Sequence, residues 1–238
     1  MLKGKILYQG KAKTLYQTDH ADQLLLYFRD DTSAFNGKKL ESLTNKGKIN
    51  NQFNAFIMEV LTEQGVTNHL IQKLDAQSSL VKHLTMVPVE CVIRNYAAGS
   101  IVRRLGIRDG QKFIQPVFEF FLKDDGLGDP LINEAHIFAM DLADQNFIDQ
   151  SKALTHQINA ILLPLFAAKG MLLVDYKLEF GYFNGQLTLG DEFTPDGCRI
   201  WDQQTLKKLD KDRFRQSLGQ VTDAYCEVAQ RLGVELKL

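Results

Sequence analysis

The segment Val174-Asp175-Tyr176-Lys177-Leu178-Glu179-Phe180 alternates apolar and charged residues, which is the period of a β-strand. On a strand, Asp175, Lys177 and Glu179 share one face, and Val174, Tyr176, Leu178 and Phe180 share the other. The apolar face belongs to the core. The charged face carries two acids flanking a base between strongly apolar neighbours. Buried charges need partners or a metal, so this face is either a salt-bridge ladder or a site. Two carboxylates with a lysine are what Mg²⁺-dependent phosphoryl transfer uses: acids for the metal, a cation for a phosphate or carboxylate.

Working outward, the strand runs from Met171 to Phe180. Gly181 to Gly185 is expected to turn the chain into Gln186-Leu187-Thr188-Leu189, making a hairpin. That second strand ends Gly190-Asp191-Glu192, whose carboxylates can approach Glu179 or Asp175. Pattern alone leaves open whether Asp191 or Glu192 faces inward, with Asp191 following the Leu187/Leu189 face. Gly190 leaves room for close approach of a ligand.

The N-terminal part reads as β, with short apolar runs at Ile6–Tyr8, Thr14–Tyr16 and Leu24–Phe28. A polar segment spans 29–44. Helical spacing of Ile49, Phe53, Phe56, Ile57, Val60 and Leu61 predicts a helix over 46–61, stopped by Gly65. Strands are expected at 89–94 and 117–122, a short helix at 101–105 capped by Ser100, and a helix over 151–168. One amphipathic helix is expected over 212–232, with Phe214, Leu218, Val221, Tyr225, Val228 and Leu232 on one side. The mixture predicts an α+β fold of two lobes: a β-rich N-terminal lobe over 1–86 and a mixed lobe over 87–238.

The 238 residues carry 28 Lys and Arg against 29 Asp and Glu, leaving a formal net charge of −1. This argues against a nucleic-acid or anionic-membrane binder that works through overall charge. No run approaches a membrane span, and the first residues show no apolar signal core, so a cytoplasmic location is the expectation. Cys91, Cys198 and Cys226 are far apart and read as free thiols; no Cys/His grouping suggests zinc.

Three further segments carry candidate chemistry. Gly10-Lys11-Ala12-Lys13 sits between two β runs and lacks the Walker form; its lysines either are solvated or meet phosphates. Glu90 and Arg94 share a strand face leading to Ser100, where a helix start, a hydroxyl and a guanidinium make an anion site or merely a capped helix. Pro195-Asp196-Gly197-Cys198-Arg199-Ile200-Trp201-Asp202 reads as a turn, with Arg199 as a surface ion pair or a phosphate clamp. No Gly-x-Ser-x-Gly nucleophile elbow is present.

These segments, with Arg29–Gly37, Lys46–Asn51, Phe120–Asp125, Asp129-Pro130 and Lys211–Gly219, resemble one family over essentially the whole chain: phosphoribosylaminoimidazole-succinocarboxamide synthase, or SAICAR synthetase, in its bacterial form. Gly197 departs from a Thr common in relatives, and Ala135 from an acidic or Ser residue. The resemblance implies a ligase joining L-aspartate to the carboxylate of carboxyaminoimidazole ribonucleotide with ATP and Mg²⁺, through an acyl phosphate. It implies a fold similar to ATP-grasp and kinase-like nucleotide enzymes, and a homodimer. Lys11, Ala12 and Lys13 would lie over the ATP phosphates, Met86 at an inter-lobe hinge by the adenine, and Glu179 and Asp191 on Mg²⁺. Arg94, Ser100 and Arg199 would grip the ribonucleotide phosphate; Glu90, Asp175 and Lys177 would face the carboxylate being activated. Ser33 in the 31–37 loop, Lys123 and Asp129 would border the aspartate pocket, with Arg215 a further anion contact.

Overall fold

The computed structural model describes residues 4–34, 37 and 39–238. Met1 to Lys3, Phe35, Asn36 and Lys38 lie outside them, and with them part of the 31–37 loop. The first sheet has the order β1-β2-β3-β7-β6 and is antiparallel. Its strands are β1 (Ile6–Gln9), β2 (Lys13–Gln17), β3 (Gln23–Phe28), β6 (Leu70–Lys73) and β7 (Ser78–Lys82). The segment expected to be merely polar instead contains a hairpin, β4 (Asp31–Ala34) with β5 (Lys39–Ser42). Backbone pairing supplies there the regularity that apolar alternation does not.

The second sheet is built on β11 (Met171–Phe183). One edge of β11 pairs with β8 (Thr85–Tyr96). The other edge is shared by β12 (Gln186–Gly190), alongside residues 179–183, and β13 (Cys198–Asp202), alongside residues 171–176. Beyond β8 come β9 (Lys112–Leu122) and the short β10 (Leu131–Ile132). The expected turn at 181–185 begins later: β11 continues to Phe183, and Asn184-Gly185 turns with φ of 50° and 79°. An Asn-Gly pair at positive φ matches the twist of a two-residue hairpin. The 198–202 segment is likewise a strand, not a turn.

Among the described residues, six helices flank the sheets: α1 (Lys46–Glu63), α2 (Ser100–Leu105), α3 (Glu134–Ala139), α4 (Gln145–Ala167), α5 (Asp212–Arg215) and α6 (Val221–Leu232). Phe53, Ile57, Met58 and Leu61 of α1 are fully buried in one core with Phe147, Ile158 and Leu162 of α4 and Tyr176, Leu178 and Phe180 of β11. Each such side chain contributes about 1.5–3 kcal/mol on burial. The single helix expected over 212–232 is two. Ser217, Gly219 and Gln220 all have positive φ, which no helix accommodates, and Leu218 is 49% exposed in the break. No helix among the described residues is long and apolar enough to cross a membrane.

The strand-face expectation needs one correction. Tyr176, Leu178 and Phe180 do share the main core, but Val174 packs with Ala98 and Trp201 in a separate cluster, while Leu173 joins the main core. The register of β11 against β13 shifts between Leu173 and Asp175. A bulge there inserts one residue and inverts the alternation on its N-terminal side. All three cysteines are free; Cys91 and Cys198 are buried.

Candidate active site

Register on β11 explains the charged floor of the site. Asp175 lies opposite Arg94 on one neighbour and Arg199 on the other. Its Oδ2 accepts from Nη1 of both guanidinium groups at 2.8 Å. Four residues along β11, Glu179 faces Glu90 directly across the β11–β8 ladder. Like charges so placed repel, and Lys177 resolves this by donating to Glu90 Oε1 at 2.5 Å and to Glu179 Oε1 at 2.9 Å. Burial opposes the Lys177 ammonium, but the charges of Glu179, Glu90 and Asp191 outweigh it and hold its pKa well above the lysine value. Burial raises the pKa of Glu90 despite Lys177. Lys123, at the end of β9, also pairs with Glu179.

The Gly10–Lys13 turn faces the far end of this floor. Lys13 pairs with Asp191 and, at 3.4 Å, with Glu192 Oε1. Both acids therefore point inward, because the chain leaves β12 with Asp191 at φ 54°, outside the strand alternation. Burial works against the Asp191 charge, yet Lys13, Lys123 and Lys177 hold its pKa below the usual carboxylate range. Burial raises that of Glu192, whose Oε2 is buried with no hydrogen-bond partner. Lys11 pairs with Asp125 at 2.7 Å. Gly190 does not open space for a ligand: a Cβ there would lie 3.0 Å from Leu84 Cδ1 and 3.1 Å from Met86 Sδ.

The third wall is an arginine network. Arg94 Nε bonds Glu119 Oε2 at 2.7 Å, and Arg199 Nε bonds Asp212 Oδ2 at 2.8 Å. Arg215 Nη1 reaches the other oxygen of Asp212 at 2.6 Å. Ser100 does not cap α2; Gly99 holds the cap position with no side-chain bond, and Ser100 Oγ accepts from Arg94 Nη2 at 3.3 Å. Gly99 has φ 64°, and a Cβ on it would stand 2.5 Å from Arg199 Nη2. Glycine here lets the guanidinium pass close to the backbone.

These walls enclose a cleft of about 440 Å³, within the range of small-molecule sites. Of the residues singled out from sequence, Lys11, Ala12, Lys13, Ser33, Glu90, Arg94, Lys123, Asp129, Asp175, Lys177, Glu179, Asp191, Arg199 and Arg215 all line it. Ser100 touches it only through Arg94. Met86 is not on its lining; it lies near the start of β8, partly exposed, against Gly181 and Gly190. Sequence reading missed Asp125, Asp196 and Lys211 as lining residues and left Glu192 undecided. Asp196 is gripped from behind: Lys46 Nζ at 2.6 Å and Asn50 Nδ2 at 2.8 Å on Oδ2, Tyr225 OH at 2.7 Å on Oδ1. Its signal lay in the burial of polar residues on α1, which helical spacing does not announce.

Among the described residues no three His, Cys, Asp or Glu side chains form a metal cage. The donor set nonetheless fits Mg²⁺, which takes one or two carboxylates together with nucleotide phosphates. Glu179 and Asp191 offer oxygen ligands now matched by lysine ammonium groups, and the unpartnered Glu192 oxygen lies beside them.

A cleft that interleaves cations and carboxylates on each wall defines an enzyme that gathers several small anionic substrates. The SAICAR synthetase family model matches residues 6–232. The phosphoribosylaminoimidazole-succinocarboxamide synthase of Acinetobacter baumannii (strain AYE) is 59% identical over 236 residues, 99% of each chain. The crystal structure of the Ehrlichia chaffeensis enzyme of that name is 40% identical, with a TM-score of 0.95 over 98% of this chain and 100% of that one. A SAICAR synthetase (Type-2) in complex with ADP is 38% identical, with a TM-score of 0.93 over 97% and 99%. The chain belongs to the SAICAR synthetase family, ATP-dependent ligases of purine biosynthesis.

Proposed function

We propose that the chain joins L-aspartate to carboxyaminoimidazole ribonucleotide by way of an acyl phosphate. The observation that carries this reading is Lys177 held between Glu90 and Glu179, with Lys13 and Asp191 facing them across the cleft. Lys177 positions the substrate carboxylate and offsets its charge. One carboxylate oxygen attacks the γ-phosphorus of ATP, the bond to the β-phosphate oxygen breaks, and ADP leaves. The aspartate amine then attacks the acyl carbon; phosphate departs with that oxygen, and the amine loses a proton. Positioning and charge neutralisation carry such chemistry, which needs no protein nucleophile.

In this reading Lys11, Ala12 and Lys13 cover the nucleotide phosphates, and Met86 lies by the adenine at a hinge between lobes of 1–86 and 87–238. A SAICAR synthetase of nearly equal length in complex with ADP supports the use of a nucleotide. Glu179 and Asp191 would hold Mg²⁺, which when bound supplies charge neutralisation on the phosphates. Arg94, Arg199 and Ser100 grip the ribonucleotide phosphate; Asp175 fixes both guanidinium groups at 2.8 Å so that they need little reordering. Ser33, Lys123 and Asp129 border the aspartate. A cytoplasmic homodimer completes the proposal, and sedimentation would test the dimer.

The experiment follows ADP release with ATP, Mg²⁺, aspartate and the ribonucleotide, each omitted in turn, and repeats it with ¹⁸O in the ribonucleotide carboxylate. Aspartate-dependent product and one ¹⁸O in the released phosphate are expected. Phosphate free of label would rule out the acyl phosphate.

A further inference from the structure

Every lysine and arginine lining the cleft holds a carboxylate, with one exception among the described residues. Lys211 lines the cleft, yet its ammonium forms neither an ion pair nor a hydrogen bond. Its backbone is firmly held: the N–H donates to Pro195 O at 3.0 Å, and its carbonyl accepts from Phe214 and Arg215 N–H at 3.0 Å. Two acids favour its charge without pairing with it: Asp196, already taken by Lys46, Asn50 and Tyr225, and Glu192, whose Oε1 pairs with Lys13. Burial lowers the Lys211 pKa although Asp196 favours its charge, and the cations Arg215 and Lys46 add to the lowering. An ammonium so placed is costly until an anion arrives.

The ligands of the reaction bring more negative charge than the other cations are assigned to meet. ATP phosphates have Lys11 and Lys13, the ribonucleotide phosphate has Arg94 and Arg199, and the activated carboxylate has Lys177. Aspartate arrives with two carboxylates, and Lys123 beside its pocket is engaged by Glu179. Arg215, four residues after Lys211 and also lining the cleft, is tied to Asp212 at 2.6 Å.

We infer that Lys211 is a substrate-binding residue that receives a carboxylate of the dicarboxylic amino acid. This rests on the ligase reading above. It makes Lys211 a determinant of specificity, since an amino acid with an uncharged side chain or a blocked α-carboxylate leaves the ammonium unpaired. It also gives Lys211 an unusual signature for a half-buried lysine: removing it should weaken binding without weakening the fold.

The test measures KM for aspartate, ATP and the ribonucleotide in parent, Lys211→Met and Lys211→Arg, together with thermal midpoints. Aspartate-dependent turnover of the parent checks the ligase reading independently of Lys211. For Lys211→Met the KM for aspartate should rise about 10- to 100-fold, the loss of one charge-assisted bond. The other two KM values should stay within about twofold of the parent, and the midpoint should not fall. Lys211→Arg should recover part of the aspartate affinity. A rise confined to the ribonucleotide would give Lys211 to a phosphate and overturn the proposal. Three unchanged KM values would overturn it, as would a Lys211→Met protein that fails to fold.

Discussion

Two lysine–carboxylate groups reach the same cleft, and they differ in how far the cleft reaches the lysine. Lys46 is fully buried, and its partner Asp196 is held by two further donors, Asn50 and Tyr225. Lys177 is 36% exposed at its side chain, and its partners Glu90 and Glu179 have no such backing from helix side chains. The first group engages both Asp196 oxygens and ties α1 and α6 to the loop between β12 and β13. In the second, Lys177 and Lys123 take the two Glu179 oxygens, and both ammonium groups stay open to the cleft. Exposure of the cations, 36% for Lys177 and 39% for Lys123 against 0% for Lys46, separates the chemical group from the structural one.

The comparison breaks if the two lysines respond alike. Lys46→Met leaves the Asp196 charge buried with one cation fewer, and stability to denaturant should fall by about 3–5 kcal/mol. Denaturant titration giving less than about 1 kcal/mol would erase the distinction. Glu179→Gln should leave the fold intact yet lower turnover by about 10²–10³-fold, as loss of a charge aimed at the reacting groups does. Parallel ADP-release and unfolding measurements check both halves of that statement, and Asp191→Asn should behave alike. Tyr225→Phe removes one donor from Asp196 and should cost about 1–3 kcal/mol in stability with a smaller change in turnover.

The smallest effect concerns a third buried acid. Asp210 is fully buried and accepts from the backbone N–H groups of Ile200 and Asp212, with no cation on it. Burial, with the neighbouring charge of Asp212, raises its pKa to about 7. The native state then binds a proton that the unfolded state has released, so this group's contribution to stability falls as pH rises from about 4 to 7. Asp210→Asn should flatten that part of the stability–pH profile; an unchanged slope would assign it to other groups.

Much of the site was legible because β11 is both apolar and charged at strand period. Asp175, Lys177 and Glu179 face the cleft as the alternation requires, and Glu90 and Arg94 follow the same logic on β8. Asp196 and Lys211 were not legible. Their roles depend on Lys46, Asn50 and Tyr225, which are far away in sequence and polar in places where a helix pattern shows only spacing. Arg199 stood between a surface ion pair and a clamp on sequence grounds. β13 makes it the cross-strand neighbour of Asp175, and Gly99 lets it approach the backbone.

By itself the sequence determined the strand and helix faces, the turn glycines and the kinds of group available for anions and metal, since these follow from local periodicity and side-chain chemistry. Where the alternation inverts before Asp175, which acids point inward beyond β12, and which lysine lacks a partner were decided only by tertiary structure. A bulge, a positive φ and a missing ion pair each depend on what a neighbouring strand or helix brings alongside, and nothing local encodes that.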